Sequence, residues 1–303
     1  MESKTDYSFI DFAKLGRTDW RATALTILIL VCVNIVSTFG VLLFAGWSAY
    51  IDHFNAASAA GLITGLGSPL CVVGFWIACK TALRRPFRSL ISADLTFSVR
   101  RCLFGAALFL PVNVLAIIAM TLYASMRYDE WMNPFGQFRV PNGGEIFAAA
   151  SAILAIPFLA FAEELFFRGW LTQTLRQYVR IRFVIVAIVA LAFAAYHTQY
   201  SFHMKALLFA SSFWFSALSL RDQRLELAVG AHSMLNICVA LELLFFTGVP
   251  HAQSSAAVTT FDWMFLVALK GMLPFALMYW LLQKTNGWFT PNRVARVSDI
   301  QRV

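Results

Sequence analysis

Residues 146–170 read IFAAASAILAIPFLAFAEELFFRGW. The first 17 residues of this stretch contain no charged side chain, and the run then reaches Glu163, Glu164 and Arg168. About 20 apolar residues are enough for a helix to cross the roughly 30 Å hydrocarbon core of a bilayer. Ionisable side chains are costly in such a helix, so each one needs a structural or functional explanation. The stretch therefore predicts a membrane-spanning helix with charged groups near one end.

The composition of the whole chain also indicates a membrane protein. Of its 303 residues, 59% are hydrophobic and 13% are charged, and the mean hydropathy is +0.68. Soluble domains carry about 25% charged residues because they need a polar surface. The composition excludes a disordered chain, a disulfide-linked secreted domain and an ordinary cytosolic domain. We expect an all-α protein, a polytopic bundle of transmembrane helices.

Eight apolar runs are long enough to span a bilayer, which predicts about eight spans. The fifth and sixth runs have no clear connector between them, so a re-entrant or broken segment is an alternative there. The runs cover 22–46, 56–79, 102–126, 146–167, 183–202, 204–220, 227–247 and 263–283.

The distribution of basic residues predicts the orientation of these spans. The net charge is +8, and twenty of the 24 Lys and Arg residues lie before odd-numbered runs or after even-numbered ones. The opposite side has only Arg127 and Arg139. Because positively charged loops stay in the cytoplasm, both termini are predicted to be cytoplasmic. The charge thus reflects topology and attraction to anionic lipid, and no nucleic-acid-binding motif accompanies it.

Polarity divides the chain into three regions. Residues 1–21 are expected to form a cytoplasmic or interfacial arm, without a cleaved signal peptide. Within this arm, Phe9 and Ile10 lie near basic side chains, a pattern that favours an interfacial helix. A single transmembrane domain follows over 22–283, and 284–303 form a basic cytoplasmic tail.

Polar side chains recur at helical spacing in three of the runs. Glu164 and Arg168 are four residues apart, where an ion pair forms on a helix, while Glu163 is rotated by about 100°. Taken alone, this set also fits a helix end whose acid–base pair reaches for the interface.

Two further pairs favour a functional explanation. Phe193 and His197 in the fifth run share one helix face, and so do His232 and Asn236 in the seventh. A lone histidine in a span is more often a packing residue. Polar groups on three different spans are most simply explained by mutual contact, because each of them needs a partner in hydrocarbon.

These residue types suit the addition of water to a carbonyl group. A carboxylate can act as general base on water, an imidazole can orient that water or bind a metal, and an amide can donate to an oxyanion. The chain has no G-x-S-x-G, H-E-x-x-H or Gly-Asp motif. This absence disfavours serine, zincin and aspartyl protease designs.

In chain order, the three motifs are Glu163-Glu164-x-x-x-Arg168, Phe193-x-x-x-His197 and His232-x-x-x-Asn236. Together they resemble the CPBP family of intramembrane proteases. This family includes the type II CAAX prenyl endopeptidases and bacteriocin-processing and self-immunity proteins. The resemblance implies a protease-like core at about 145–247.

The resemblance implies an intramembrane endopeptidase that cuts near the cytoplasmic face of the membrane. In this assignment Glu163 activates the attacking water, the two histidines assist it or coordinate a metal, and Asn236 stabilises the oxyanion. The implied catalytic residues are Glu163, Glu164, His197, His232 and Asn236, and the implied supporting residues are Arg168 and Phe193.

Metal dependence stays open at this stage. A divalent metal such as zinc would take His197, His232 and Glu163 as ligands, because the motifs contain two histidines and no cysteine. A glutamate mechanism without metal needs no such third ligand. The functional alternative to a protease is a catalytically silent immunity or scaffold protein that binds a membrane partner.

The expected partners are membrane lipid and a membrane-associated or prenylated peptide or protein substrate, with no nucleic acid, and the oligomeric state is open. We expect a multi-pass integral membrane protein, located in the cytoplasmic membrane of a bacterium or in the endoplasmic reticulum membrane of a eukaryote.

Depth arithmetic adds one constraint on the fourth helix. His197 lies about 15 residues, or some 22 Å, beyond Arg182, which is near the cytoplasmic end of its run. A short fourth helix would place the two glutamates closer to the cytoplasmic surface than His197. We therefore predict a long helix from about Glu145 to Arg176, kinked near Pro157.

Overall fold

The structure, a computed structural model, describes residues 8–49, 56–128, 137–247 and 260–284. The predicted all-α class is confirmed, with one short strand pair beside the helices. The helices are α1 (Trp20–Ala49), α2 (Ala56–Ala78), α3 (Val99–Tyr128), α4 (Gly143–Glu164), α5 (Thr172–Leu175), α6 (Arg182–Tyr196), α7 (Phe202–Asp222), α8 (Glu226–Phe245), α9 (Thr260–Gly271) and α10 (Leu273–Lys284). Most of the predicted basic tail and the first seven residues lie outside the described ranges.

Four helices of the described part are long and apolar enough to cross a membrane. These are Trp20–Gly40, Val99–Arg127, Gly143–Leu175 and Glu226–Phe245. Two shorter apolar helices, Gly67–Leu83 and Arg182–Tyr196, accompany them. The full set of eight spans and the cytoplasmic position of the termini stay predictions.

The fourth apolar run forms one long helix, as the depth argument predicts. It begins at a capping box, in which the Asn142 side chain accepts from the Glu145 N–H at 2.9 Å and the Glu145 carboxylate accepts from the Asn142 N–H at 2.8 Å. After α4 the chain continues through a π-helical segment, Leu165–Leu171, into α5. The helix therefore runs from Gly143 to Leu175, and the π-helical segment was not predicted.

The fifth run differs from its predicted bounds. The sequence predicts a span over 183–202, whereas α6 ends at Tyr196 and residues 197–201 turn before α7 begins. The 15 residues of α6 extend for only about 22 Å, which is shorter than a bilayer core. The alternative of a broken segment therefore fits this region better than a full span, and His197 lies at the turn.

The eighth run is also interrupted. Instead of one helix over 263–283, the structure has α9 and α10, separated at Met272. Pro274 follows directly in the first turn of α10. A proline has no N–H for the helix ladder and disfavours helical backbone at the preceding residue, which explains the break.

The N-terminal segment, a 3₁₀ helix at Phe9–Leu15, corrects another prediction. An interfacial helix would expose its apolar face to lipid, but Phe9 and Ile10 are at most 1% exposed in the protein interior. The Phe9 N–H donates to Oε1 of Gln223 at 2.7 Å, and Arg176 pairs with Asp11 at 3.1 Å. These contacts join the segment to the ends of α5 and α7.

The motif-bearing helix α8 packs closely against α3. A Cβ atom at Gly230 would lie 1.9 Å from the carbonyl oxygen of Cys102, and one at Gly105 would lie 2.5 Å from that of Leu227. The two backbones therefore touch where glycine leaves room. Helix α8 also packs against α4, so this arrangement brings His232 to the glutamates of α4.

The strand pair lies at the opposite end of the same helices. Strand β1 (Gln137–Phe138) pairs antiparallel with β2 (Phe246–Thr247), with Gln137 opposite Thr247. These strands tie the chain that enters α4 to the chain that leaves α8.

Candidate active site

The Glu164 carboxylate is fully buried and makes two contacts through one oxygen. Its Oε1 lies 3.0 Å from Nη1 of Arg168, which confirms the predicted pair along the helix, and 2.9 Å from Nδ1 of His232. A carboxylate paired with arginine only accepts hydrogen bonds, so Nδ1 of His232 donates this one. Glu164 therefore sets which nitrogen of His232 holds the proton and fixes the orientation of its ring.

The Arg168 guanidinium, which is 1% exposed, has partners on all three nitrogens. Beside the bond to Glu164, its Nη2 donates to Oγ of Ser212 at 2.6 Å and its Nε to Oγ of Ser216 at 3.3 Å. Its Cζ lies 4.9 Å from the ring centroid of Phe193, a cation–π distance. The pair of Glu164 and Arg168 is thus held rigidly inside the bundle.

Sequence reasoning missed the two serines on α7. Their hydroxyls lie four residues apart on one helix face, within an apolar run that also contains Ser211 and Ser219. This spacing was a usable signal, because hydroxyls in an apolar helix need polar partners.

Glu163 differs from its neighbour in exposure. Its side chain is 14% exposed, and its Oε2 lies 3.4 Å from Nε2 of His232. The two adjacent carboxylates therefore face opposite nitrogens of one imidazole. Glu163 is the carboxylate of this pair that water can reach.

His197 is the C-terminal cap of α6 and is half-buried. Its Nδ1 lies 2.8 Å from the carbonyl oxygen of Phe193, so this nitrogen donates and Nε2 is left as an acceptor. The Phe193 ring lies 4.6 Å from the His197 ring and 5.9 Å from the His232 ring, between centroids. Phe193 therefore links the two histidines, while no hydrogen bond among the described residues joins them directly.

Two aromatic residues near the histidines were not selected from the sequence. Phe215 of α7 stacks on His232 with ring centroids 5.0 Å apart and an interplanar angle of 26°. Tyr196 lies edge-on to His197 at 5.6 Å and is exposed. Spacing along the chain predicts neither contact. The contact of Phe215 depends on how α7 packs against α8, and that of Tyr196 depends on the turn after α6.

Asn236 lies one turn after His232 on α8 and is partly exposed. Its side chain forms no hydrogen bond with another described residue. The structure therefore brings together Glu163, Glu164, Arg168, Phe193 and His232, with His197 joined through Phe193 and Asn236 at the edge.

The positions of the donor groups determine whether a metal fits this site. Within the described ranges, no three His, Cys, Asp or Glu side chains are grouped so that they could hold a metal ion. The predicted ligand set of His197, His232 and Glu163 does not converge on one point. This arrangement does not fit a three-ligand zinc site.

Comparison with known proteins supports the motif assignment. Residues 145–238 match the sequence model of a family described as Type II CAAX prenyl endopeptidase Rce1-like. The chain is also similar to a protein of Bacillus subtilis (strain 168) named "Uncharacterized protein YyaK", with 25% identity over 177 residues. That match covers 56% of this chain and 56% of the relative, so it spans about half the length of each. No solved structure matches the chain significantly.

The family match confirms the resemblance that the motifs indicate. All seven motif residues lie inside the matched segment 145–238. The matched family consists of membrane proteases, and the four apolar helices are those of an integral membrane protein.

Proposed function

We propose that this chain, whose residues 145–238 carry the sequence pattern of the type II CAAX prenyl endopeptidases, is an intramembrane endopeptidase. The observation that carries the proposal is the position of His232 between two carboxylates of unequal exposure. Glu164 is buried and holds Nδ1, while the accessible Glu163 lies 3.4 Å from Nε2. This arrangement supports a division of roles between a positioning carboxylate and a catalytic base.

In the proposed reaction, Glu163 removes a proton from a water molecule as the water oxygen attacks the peptide carbonyl carbon. The second O–H of this water donates to Nε2 of His232, which orients the water, and His197 assists from the turn after α6. The Asn236 amide donates to the oxyanion of the tetrahedral intermediate. The C–N bond then breaks, and Glu163 returns its proton to the leaving nitrogen. The products are a new carboxylate and a new amine.

The buried pair of Glu164 and Arg168 acts through His232. Its contacts keep the Nδ1 proton in place, so Nε2 stays an acceptor toward the reacting water. Both residues are therefore positioning residues, and the proposed catalytic residues are Glu163, His197, His232 and Asn236.

The proposed substrate is a membrane-associated or prenylated peptide, cut near the cytoplasmic face. The similarity to prenyl endopeptidases supports this class. A prenyl chain would keep such a peptide in the bilayer, next to the helices that hold the glutamates.

Hydrolysis by the purified protein tests this proposal. The protein is reconstituted in liposomes with a farnesylated peptide in H₂¹⁸O, and the products are analysed by mass spectrometry. We expect cleavage with ¹⁸O in the new carboxylate, and a rate at least about 100-fold lower in His232→Ala. Binding of the peptide without cleavage by the wild type would instead favour the silent scaffold alternative.

Metal independence is part of the proposal, because the described donors do not converge on one point. We expect the cleavage rate to be unchanged after dialysis against a strong chelator. Loss of activity that zinc restores would contradict this part of the proposal and favour the metal alternative.

A further inference from the structure

Four buried polar side chains lie at the predicted cytoplasmic end of α2, outside the candidate active site. We call Arg85, Ser89, Trp170 and Gln173 the Arg85 cluster, and each is at most 7% exposed. Gln173 joins its members, because its Oε1 accepts from Nη1 of Arg85 at 2.6 Å and its Nε2 donates to the Ser89 carbonyl at 2.9 Å. Trp170 lies one turn earlier on the same helix. None of the four takes part in the proposed reaction.

Arg85 is a buried cation that forms no ion pair with a described carboxylate. Its side-chain hydrogen bond goes to the neutral amide of Gln173, and its Nε has no partner among the described residues. Burial lowers the pKa of this guanidinium to about 10. A charge removed from water without an opposite charge nearby destabilises a fold, so the missing counter-charge needs an explanation.

Two further donors of the cluster are also unpaired within the described ranges. These are the hydroxyl of Ser89 and the indole N–H of Trp170, both buried. Guanidinium and indole groups only donate hydrogen bonds, and the Gln173 amide is already used on both sides. Buried polar groups are nearly always paired in folded proteins. Unpaired donors beside an uncompensated cation therefore indicate an anion with several acceptor oxygens.

The surface beside the cluster is strongly basic. Arg84 and Arg88 precede and follow Arg85 in the chain, and both side chains are exposed. An anion that approaches from the predicted cytoplasmic surface meets these charges first. Basic groups at this level attract anionic headgroups.

The adjoining face of α2 has the chemistry of a lipid contact. Leu70, Val73 and Trp76 follow one another at three-residue spacing and are 39–46% exposed. The Lys80 ammonium, one turn further on, lies 3.9 Å from the ring centroid of Trp76. An apolar stripe that ends in tryptophan and basic residues matches the change from acyl chains to headgroups.

We infer that the Arg85 cluster is an oxyanion site that takes the phosphate group of an anionic phospholipid, with Arg85, Ser89 and Trp170 as donors. The bound phosphate supplies the missing counter-charge, and the exposed stripe of α2 receives the acyl chains. The site would anchor the junction of α2 and α5 to the cytoplasmic leaflet. Free inorganic phosphate has the same chemistry, so the test separates the two sources.

The test uses the full-length protein in neutral detergent and measures its thermal unfolding midpoint. Phosphatidylglycerol, phosphatidylcholine and inorganic phosphate are titrated separately at constant ionic strength. The variant is Arg85→Met, and Arg88→Met is the matched control that removes an exposed charge from the same loop. Arg85→Lys keeps the charge but loses the planar fork of donors.

We expect phosphatidylglycerol to raise the midpoint of the wild type and of Arg88→Met, with phosphatidylcholine much weaker. Arg85→Met should need about 10- to 100-fold more phosphatidylglycerol for half of this effect, and Arg85→Lys should fall between. Without any anion, Arg85→Met should unfold at the same or a higher temperature, since it removes an uncompensated charge.

Three other outcomes would contradict the inference, either the site itself or the lipid as the source of its phosphate. A wild type that neither phosphatidylglycerol nor phosphate stabilises would overturn the site, and this result requires no variant. Equal stabilisation of the wild type and Arg85→Met would overturn it too, because the effect would then come from the general surface charge. Stabilisation by inorganic phosphate alone, lost in Arg85→Met, would retain the oxyanion site and overturn the lipid source.

Discussion

Glu163 and Glu164 are neighbours in the chain but lie in different surroundings. Glu164 is 0% exposed and shares one oxygen between Arg168 and His232, whereas Glu163 keeps 14% of its side chain exposed. Rotation by about 100° per residue explains how adjacent side chains reach opposite nitrogens of one imidazole. A buried, paired carboxylate suits positioning, and an accessible one suits proton transfer from water.

The ion pair of Glu164 and Arg168 provides a stability prediction at this scale. Arg168→Met should lower the free energy of unfolding by about 3–5 kcal/mol, because it leaves the Glu164 charge buried without its partner. The double variant Glu164→Gln with Arg168→Met should be more stable than Arg168→Met alone. Chemical unfolding in detergent measures both differences.

The control for this prediction is the partly exposed pair of Arg139 and Glu145, which are 2.8 Å apart with 34% and 33% of their side chains exposed. Arg139→Met should change stability little, since solvent screens such pairs. A loss in Arg168→Met as small as that in Arg139→Met would contradict the account of the buried pair.

Individual residues also show how far sequence reasoning reaches. The pair of Glu164 and Arg168 is predictable, because spacing along one helix fixes the contact. The bonds from Arg168 to Ser212 and Ser216 are not, because they depend on where another helix lies. Spacing alone also cannot tell which of two adjacent glutamates is the exposed one.

The lengths of the helices follow from side-chain polarity and from the depth of the site residues in the membrane. Irregularities of the helix backbone do not follow from either. The long helix from Gly143 to Leu175 follows from the need to place the glutamates at the level of His197. Its π-helical segment packs so closely that a Cβ at Gly169 would lie 2.6 Å from the Leu90 carbonyl oxygen, a contact that spacing along the chain does not predict. The turn at 197–201 was left open by the sequence for lack of a clear polar connector.

The crossing of α3 and α8 predicts an unusual response to alanine. In a helix interior, Gly→Ala is normally stabilising by roughly 0.5–1 kcal/mol. Gly230→Ala should instead destabilise the protein by about 1–3 kcal/mol, because its Cβ would meet the Cys102 carbonyl. Since His232 is two residues away, the cleavage rate should fall as well.

Gly40 of α1 is the matched control, because a Cβ there would have no atom of the described residues within 4 Å. Gly40→Ala should be neutral or stabilising in the same unfolding experiment and should leave cleavage unchanged. Stabilisation by Gly230→Ala would show that the two helices do not touch as described.

The N-terminal segment gives a second prediction for an element. Ile10 packs in one cluster with Phe167 and Phe193, whose rings lie beside the candidate site. Ile10→Ala should cost about 2–5 kcal/mol of stability, as for other buried isoleucines. Lys14→Ala, on the exposed side of the same segment, is the control and should have little effect. Equal and small effects of both variants would favour the interfacial arm that the sequence predicts.

For the whole molecule, composition and charge establish the class, while packing determines which runs become complete spans. The apolar runs locate the helices well, yet α6 is too short to span a bilayer. Because α6 and α7 pack together after a short turn, this pair returns the chain to the side it came from. The predicted side of the termini is therefore the same whether or not the pair crosses the membrane.

Reporter fusions test this orientation. A green fluorescent protein at the C-terminus should fluoresce, and alkaline phosphatase at the same place should be inactive, because the tail is predicted to be cytoplasmic. Alkaline phosphatase inserted after the exposed Val140 should be active, since the segment before α4 is predicted to lie outside. The reverse pattern would refute the assignment.

The division of roles between Glu163 and Glu164 is the central claim, and Glu163→Gln tests it most directly. The measurement compares cleavage of the farnesylated peptide by the wild type, by Glu163→Gln and by Glu242→Gln. The last variant is the control, because Glu242 lies on α8 and is not part of the proposed site. We predict that Glu163→Gln lowers the rate by about 100- to 10,000-fold, with peptide binding and unfolding temperature unchanged and Glu242→Gln close to the wild type. Cleavage by Glu163→Gln within about twofold of the wild-type rate would contradict the account.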